Sequence, residues 1–132
     1  MKSITTYEQK FERGIAFFNE GNFYEAHESW EPLWLDAEDP MDKQFLHGLI
    51  MTAGAFLNYK KRECAGAAAL LAKSRAPLEN GVNIHPEIRL VEFMKALDRL
   101  RETFDRCLFD VPVEDLPRIA TCEGPFVQRQ LY

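Results

Sequence analysis

His27 and Glu31 stand four residues apart in the run from Phe18 to Trp34, FNEGNFYEAHESWEPLW, with Glu28 between them. On a helix that spacing brings both side chains to one point of the surface. A histidine beside carboxylates supplies either ligands for a metal ion or a general acid/base pair. The segment is not H-E-x-x-H, since Glu31 occupies the place of the second histidine. Alone it offers too few ligands to hold a metal tightly. Trp30 and Trp34 lie in the same run. Charged and aromatic residues mixed on one short amphipathic segment mark either a satisfied polar cluster or the floor of a site.

A further ligand would have to come from His47. With Met51, Gly54 and Asn58 it forms the most polar stripe of an otherwise apolar helix. If that stripe faces the second helix, His27, Glu31, His47 and Asn58 converge. Such a mixed set between bundle helices suits Zn, Fe or Mn, with His27, Glu31 and His47 as the metal ligands. The competing reading is structural. In it His27 donates to a backbone carbonyl or to a carboxylate of another helix. Glu25 and Glu28 favour the dipole of the first helical turns. Glu31 pairs with a base of the fifth helix, such as Arg101, and the network fixes the packing. Trp30 reads as core and Trp34 as the lining of a groove. His85, just before Pro86, reads as a loop or cap residue. There is no Gly-rich phosphate loop, no serine in a nucleophile elbow and no cofactor signature, so no cofactor is expected.

The elements that would position these residues read as helices joined by short breaks. Tyr7, Phe11, Ile15 and Phe18 place one apolar face on a helix over about 6–19, capped by Thr5 or Thr6 and stopped at Glu20-Gly21-Asn22. Asn22 and Glu25 resemble a capping box for a second helix with Phe23, Ala26, Trp30 and Leu33 inward. Pro32 predicts a kink or a change of helix there. Asp39-Pro40 opens a third helix, to about Lys60, apolar nearly all round and therefore central. Gly48 and Gly54 in it predict a closely packed neighbour. A fourth helix spans about 64–79, with Asn80-Gly81 as its stop. A fifth runs from near Pro86 to Cys107 through Leu90, Phe93, Met94, Leu97, Leu100 and Phe104. The residues from 108 to 132, with Pro112, Pro117 and Pro125, read as an extended tail laid on the bundle by Val111, Leu116, Ile119 and Phe126. The fold class is thus all-α: about five helices in antiparallel hairpins, one domain over 1–132, core helices over about 6–107. Gly14, Phe17, Gly21, Phe23, Ala26 and Trp30 are spaced like one tetratricopeptide unit, though too few units exist for a solenoid.

Composition sets outer bounds. The 132 residues can bury a core without a disulfide or metal, and ten phenylalanines make that core aromatic. A net charge of −5 argues against nucleic-acid binding, which depends on basic residues meeting phosphates. Lys60-Lys61-Arg62 sits at a helix end, where cations are favoured. The three cysteines form no C-x-x-C pair, and the N-terminus lacks the apolar region of a signal peptide. No apolar stretch is long enough for a bilayer. These features predict a cytoplasmic protein with reduced, free thiols and no membrane partner.

Two motifs carry a family resemblance. One is Phe18-Asn19-x-Gly21-x-Phe23-x-Glu25-Ala26-His27-Glu28-x-Trp30-Glu31-x-x-Trp34. The other is Phe45-Leu46-x-Gly48-Leu49-Ile50, followed by Gly66-Ala67 and Leu70-Leu71. Together they resemble the prokaryotic family called domain of unknown function 309, from the first helix to about Leu78, with an echo in Leu116-Pro117-x-Ile119. The resemblance implies an all-helical fold and no agreed activity. Met51 stands where the family often has glutamine, and Asn58 where a histidine is common near the end of that helix.

Two functional readings follow. One is a ligand- or protein-binding module with a groove between the second and third helices, where Glu28, Glu31 and Trp34 meet a small molecule or peptide. The other is a metal-dependent or acid/base hydrolase using His27, Glu28, Glu31 and His47. A third possibility is self-association through phenylalanine-rich surface, with a homodimer as the default state.

Overall fold

The computed structural model describes residues 5–122. It contains five α-helices: α1 (Thr5–Asn19), α2 (Phe23–Asp36), α3 (Pro40–Lys60), α4 (Cys64–Glu79) and α5 (Leu90–Asp105), followed by a 3-10 turn at Val113–Asp115. Among the described residues there is no strand, only an isolated antiparallel bridge between Ile88 and Thr121. None of the helices is long and apolar enough to cross a membrane. The all-α architecture expected from the sequence is the one found.

Short breaks force each helix back along its predecessor. α1 ends where Gly21 takes a φ of +85°, a conformation glycine adopts without steric cost. There the Asn22 N–H reaches the Phe17 carbonyl and the Gly21 N–H the Phe18 carbonyl, closing the last turn. α3 opens as expected, with the Asp39 carboxylate accepting from the Met41 N–H at 3.2 Å and Pro40 in the first turn. Side-chain contacts confirm the antiparallel register. Phe23 meets Phe56 and Trp34 meets His47 between α2 and α3. Arg75 meets Asp98 between α4 and α5.

Close approach explains the small residues. A methyl group on Gly48 would stand 2.9 Å from the Leu78 backbone nitrogen, so α3 and α4 pack almost backbone to backbone. The core is aromatic, as the composition implies: Phe11, Phe18, Phe23, Trp30, Phe45, Phe56, Phe93 and Phe104 are all buried. No phenylalanine is among the exposed large apolar residues, which are Tyr24, Leu35, Met41, Val91 and Leu108. The premise of a phenylalanine-rich surface is therefore not met among the described residues.

Several local expectations are corrected. Of the kink or change of helix expected at Pro32, the change of helix does not occur: α2 continues to Asp36. The carbonyl that Pro32 leaves without its helical donor is that of Glu28, an exposed residue open to water. Asn22 makes no side-chain cap; its amide reaches Glu20 instead, at 3.4 Å. α5 starts at Leu90, not Pro86. The residues ahead of it form a turn and a short bridge to the tail, with Arg89 N–H to the Ala120 carbonyl at 2.9 Å and Cys122 N–H to the Glu87 carbonyl at 2.6 Å.

The cysteines depart furthest from expectation. Cys64, at the start of α4, and Cys107, just past α5, are joined as a disulfide with Cα atoms 5.4 Å apart, leaving Cys122 free. No spacing rule could pair them, because antiparallel packing of α4 on α5 makes them neighbours. The tail does lie over the bundle. Leu116 and Ile119 are buried, Val111 exchanges two hydrogen bonds with the Tyr59 hydroxyl, and the Asn19 amide pairs with both backbone groups of Ile119. Pro125 and Phe126 lie outside the described residues.

Candidate functional site

α2 buries Phe23, Ala26, Trp30 and Leu33, which turns the next strip of its surface outward beside α3. His27, Glu28 and Glu31 fall on that strip. One ligand atom from each lies within 4.8 Å of the others. His27 is half-buried at 33% side-chain exposure and Glu28 is open at 52%. The Nδ1 of His27 is shielded from solvent yet makes no hydrogen bond. Glu28 Oε2 stands 3.3 Å away, but out of line. Tyr24 lies alongside the imidazole with ring centroids 6.3 Å apart. A half-buried imidazole grouped with two carboxylates is suited to take up a cation.

His47 is not part of this group. Its ring stacks on Trp34, centroids 4.8 Å apart and planes 14° from parallel. Lys43 steadies the same indole, its ammonium 5.5 Å from the ring centre and 2.8 Å from the Trp34 carbonyl. Trp34 is therefore a half-exposed platform, while Trp30 is fully buried and donates its indole N–H to the Phe11 carbonyl at 3.1 Å.

Asn58 is drawn elsewhere. A methyl group on Gly66 would meet its amide nitrogen at 2.6 Å, and one on Gly54 would meet Leu70 at 3.0 Å. The lower half of the polar stripe thus faces α4, and only its His47 end reaches α2. Nor does Arg101 reach Glu31; its nearest carboxylate is Asp105 of its own helix, 3.6 Å away.

His85 is the residue that sequence reasoning missed. It does lie in a loop, but its side chain is only 10% exposed. The ring sits between Phe11 and Phe45, at centroid distances of 4.9 and 4.8 Å. Nε2 is 3.0 Å from Asp42 Oδ1 and Nδ1 is 2.9 Å from Glu87 Oε2. The Tyr7 hydroxyl donates to the same Asp42 carboxylate at 3.1 Å. Burial, and then the charge of Asp42, raise the Tyr7 pKa above the ordinary phenol value, so the hydroxyl remains a donor. His-Pro-Glu was a weak local signal. The decisive partner, Asp42, is on α3, 43 residues away in the chain.

Residues 11–70 match the family model described as Domain of unknown function (DUF309). Over that segment the chain resembles the DUF309 family. The matched stretch holds the His27–Glu28–Glu31 group, the Trp34–His47 stack and Asn58. Tyr7, His85 and Glu87 lie outside it. No curated protein matches the sequence.

Proposed function

We propose that the chain acts as a single helical domain and a binding module, taking up a cationic group of its partner on the α2 face. His27, Glu28 and Glu31 would hold the charge, and the Trp34–His47 stack would flank it. The observation that carries this reading is the grouping of one ligand atom from each of the three residues within 4.8 Å of one another. Two carboxylates and an imidazole form an acceptor-rich set, matched to a divalent ion or a guanidinium.

Binding is favoured over the hydrolase alternative by the position of His47. Its ring is committed to Trp34, so the acid or second ligand that a hydrolase would need is not beside His27. A cytoplasmic location has a consequence of its own: the glutathione pool there would keep Cys64 and Cys107 as thiols.

Titration of the full-length protein with Zn2+ and, separately, with agmatine tests the proposal, with the His27 ring and the Trp34 indole N–H followed by NMR. Saturable shifts at those two residues, lost in Glu31→Gln, are expected. Shifts absent for both cations would reject it.

A further inference from the structure

A recess lies along the flank of α1, between α1, the loop ahead of α5 and Thr121. Its volume is about 390 Å³, within the roughly 300–1,000 Å³ typical of small-molecule sites. The floor is apolar and fixed. Phe11, Ile15 and Ile88 are all buried core residues that also line the recess. A preformed apolar floor gives an organic ligand something to cover.

The wall around that floor has one electrical character. His85, Glu87 and Tyr7 line one part, and Glu8 and Glu12, one turn apart on α1, line another. Among the described residues, no lysine or arginine lines it. The donors are already committed: the Tyr7 hydroxyl to Asp42, and the two ring nitrogens of His85 to Asp42 and Glu87. Both nitrogens can donate only if the ring carries two protons, and even then Asp42, His85 and Glu87 together sum to one negative charge. Glu8 and Glu12 add two more, both on exposed residues. Apart from the Thr121 hydroxyl, what remains unspent in the wall is acceptors.

An anion would meet carboxylates there and, among the described residues, no lysine or arginine. A bare metal ion would find no converging ligands, because the one group of that kind among the described residues is on α2. We propose that this recess binds a small organic ammonium ion with an apolar body, its charge among Glu8, Glu12 and Glu87 and its hydrocarbon on Phe11, Ile15 and Ile88. Tyr7 adds an aromatic face on which an ammonium is stabilised. The His85 clamp serves as the rigid back of the site, tying α1, α3 and the loop together so that the recess stays open without ligand.

The test uses the full-length protein and benzylammonium, with benzyl alcohol as a neutral counterpart of the same shape. Methyl resonances of Ile15 and Ile88 should shift saturably with benzylammonium and at least tenfold more weakly with the alcohol. The double variant Glu8→Gln/Glu12→Gln, changed only at exposed positions, should weaken benzylammonium at least tenfold. Glu31→Gln, on the α2 face, should leave it unchanged, which separates this site from the one proposed above. Equal affinity for the alcohol, no saturable shift, an unaffected double variant, or loss of binding in Glu31→Gln would each overturn the assignment.

Discussion

The indole of Trp30 occupies the space where a side chain on Gly14 would stand. α1 and α2 owe their close packing to that bare backbone. Alanine at position 14 would gain up to about 1 kcal/mol of helix propensity. It would also drive a methyl group into a fully buried ring that is anchored by its bond to the Phe11 carbonyl. Overpacking of this kind costs ~1–3 kcal/mol or more, so Gly14→Ala is expected to be net destabilising. Urea denaturation at neutral pH reads the sign directly.

The Cys64–Cys107 bond closes a loop with a sequence separation of 43. Chain-entropy arithmetic for a loop of that length gives about 4 kcal/mol of stabilisation. Thiol titration of the folded, unreduced protein should find one reactive sulfur, Cys122. Reduction, or Cys64→Ala, should lower the melting temperature while leaving the helical circular dichroism of the folded state intact. Three titratable thiols in protein purified without reductant would rule out the bond.

Tyr7 gives the fold a weakness at high pH. In an unfolded chain a tyrosine loses its proton near about pH 10. In the fold, burial and then Asp42 raise the pKa, and Tyr59 is raised as well, chiefly by burial. Above that pH the unfolded chain releases protons that the folded one keeps, so stability is full below it and falls as pH rises. Tyr7→Phe should flatten that decline. At pH 7 the same variant should cost only about 1 kcal/mol, the value of one hydrogen bond. Denaturation curves at pH 7 and in the alkaline range separate the two effects.

His85→Leu should cost about 2–3 kcal/mol, less than the ~3–5 kcal/mol of a fully buried pair because Asp42 keeps some contact with water. The apolar sandwich between Phe11 and Phe45 would persist, so the loss reports the two carboxylate contacts. Chemical denaturation at neutral pH measures it. A neutral substitution would mean that the clamp contributes no stability.

Much of the architecture was legible because helical periodicity, Asp39-Pro40 and the glycine stop at Gly21 act locally. The α2 group was legible for the same reason, since His27, Glu28 and Glu31 share one helix face. What the sequence concealed depends on partners distant in the chain. Asp42 and His85 are joined by the way α3 passes the loop ahead of α5. Cys64 and Cys107 are joined by the α4–α5 hairpin. Asn58 and His47 share a stripe, yet α4 claims one and Trp34 the other. A change of helix at Pro32 does not occur for a different reason: losing one hydrogen bond at the exposed Glu28 does not end a helix whose next turn is held by Leu33 and by Lys43 on the Trp34 carbonyl.

The central claim is that the His27–Glu28–Glu31 group binds a partner's charge and does not brace the fold. The most direct measurement is a two-dimensional NMR titration of His27→Ala beside the unaltered protein, with Zn2+ and agmatine as the cations. The account predicts an unchanged core spectrum, a stability loss of no more than about 1 kcal/mol, the ordinary cost of a point change, and loss of the cation-dependent shift at Trp34. A disrupted core spectrum in the variant, or a Trp34 shift that survives without the imidazole, would contradict it.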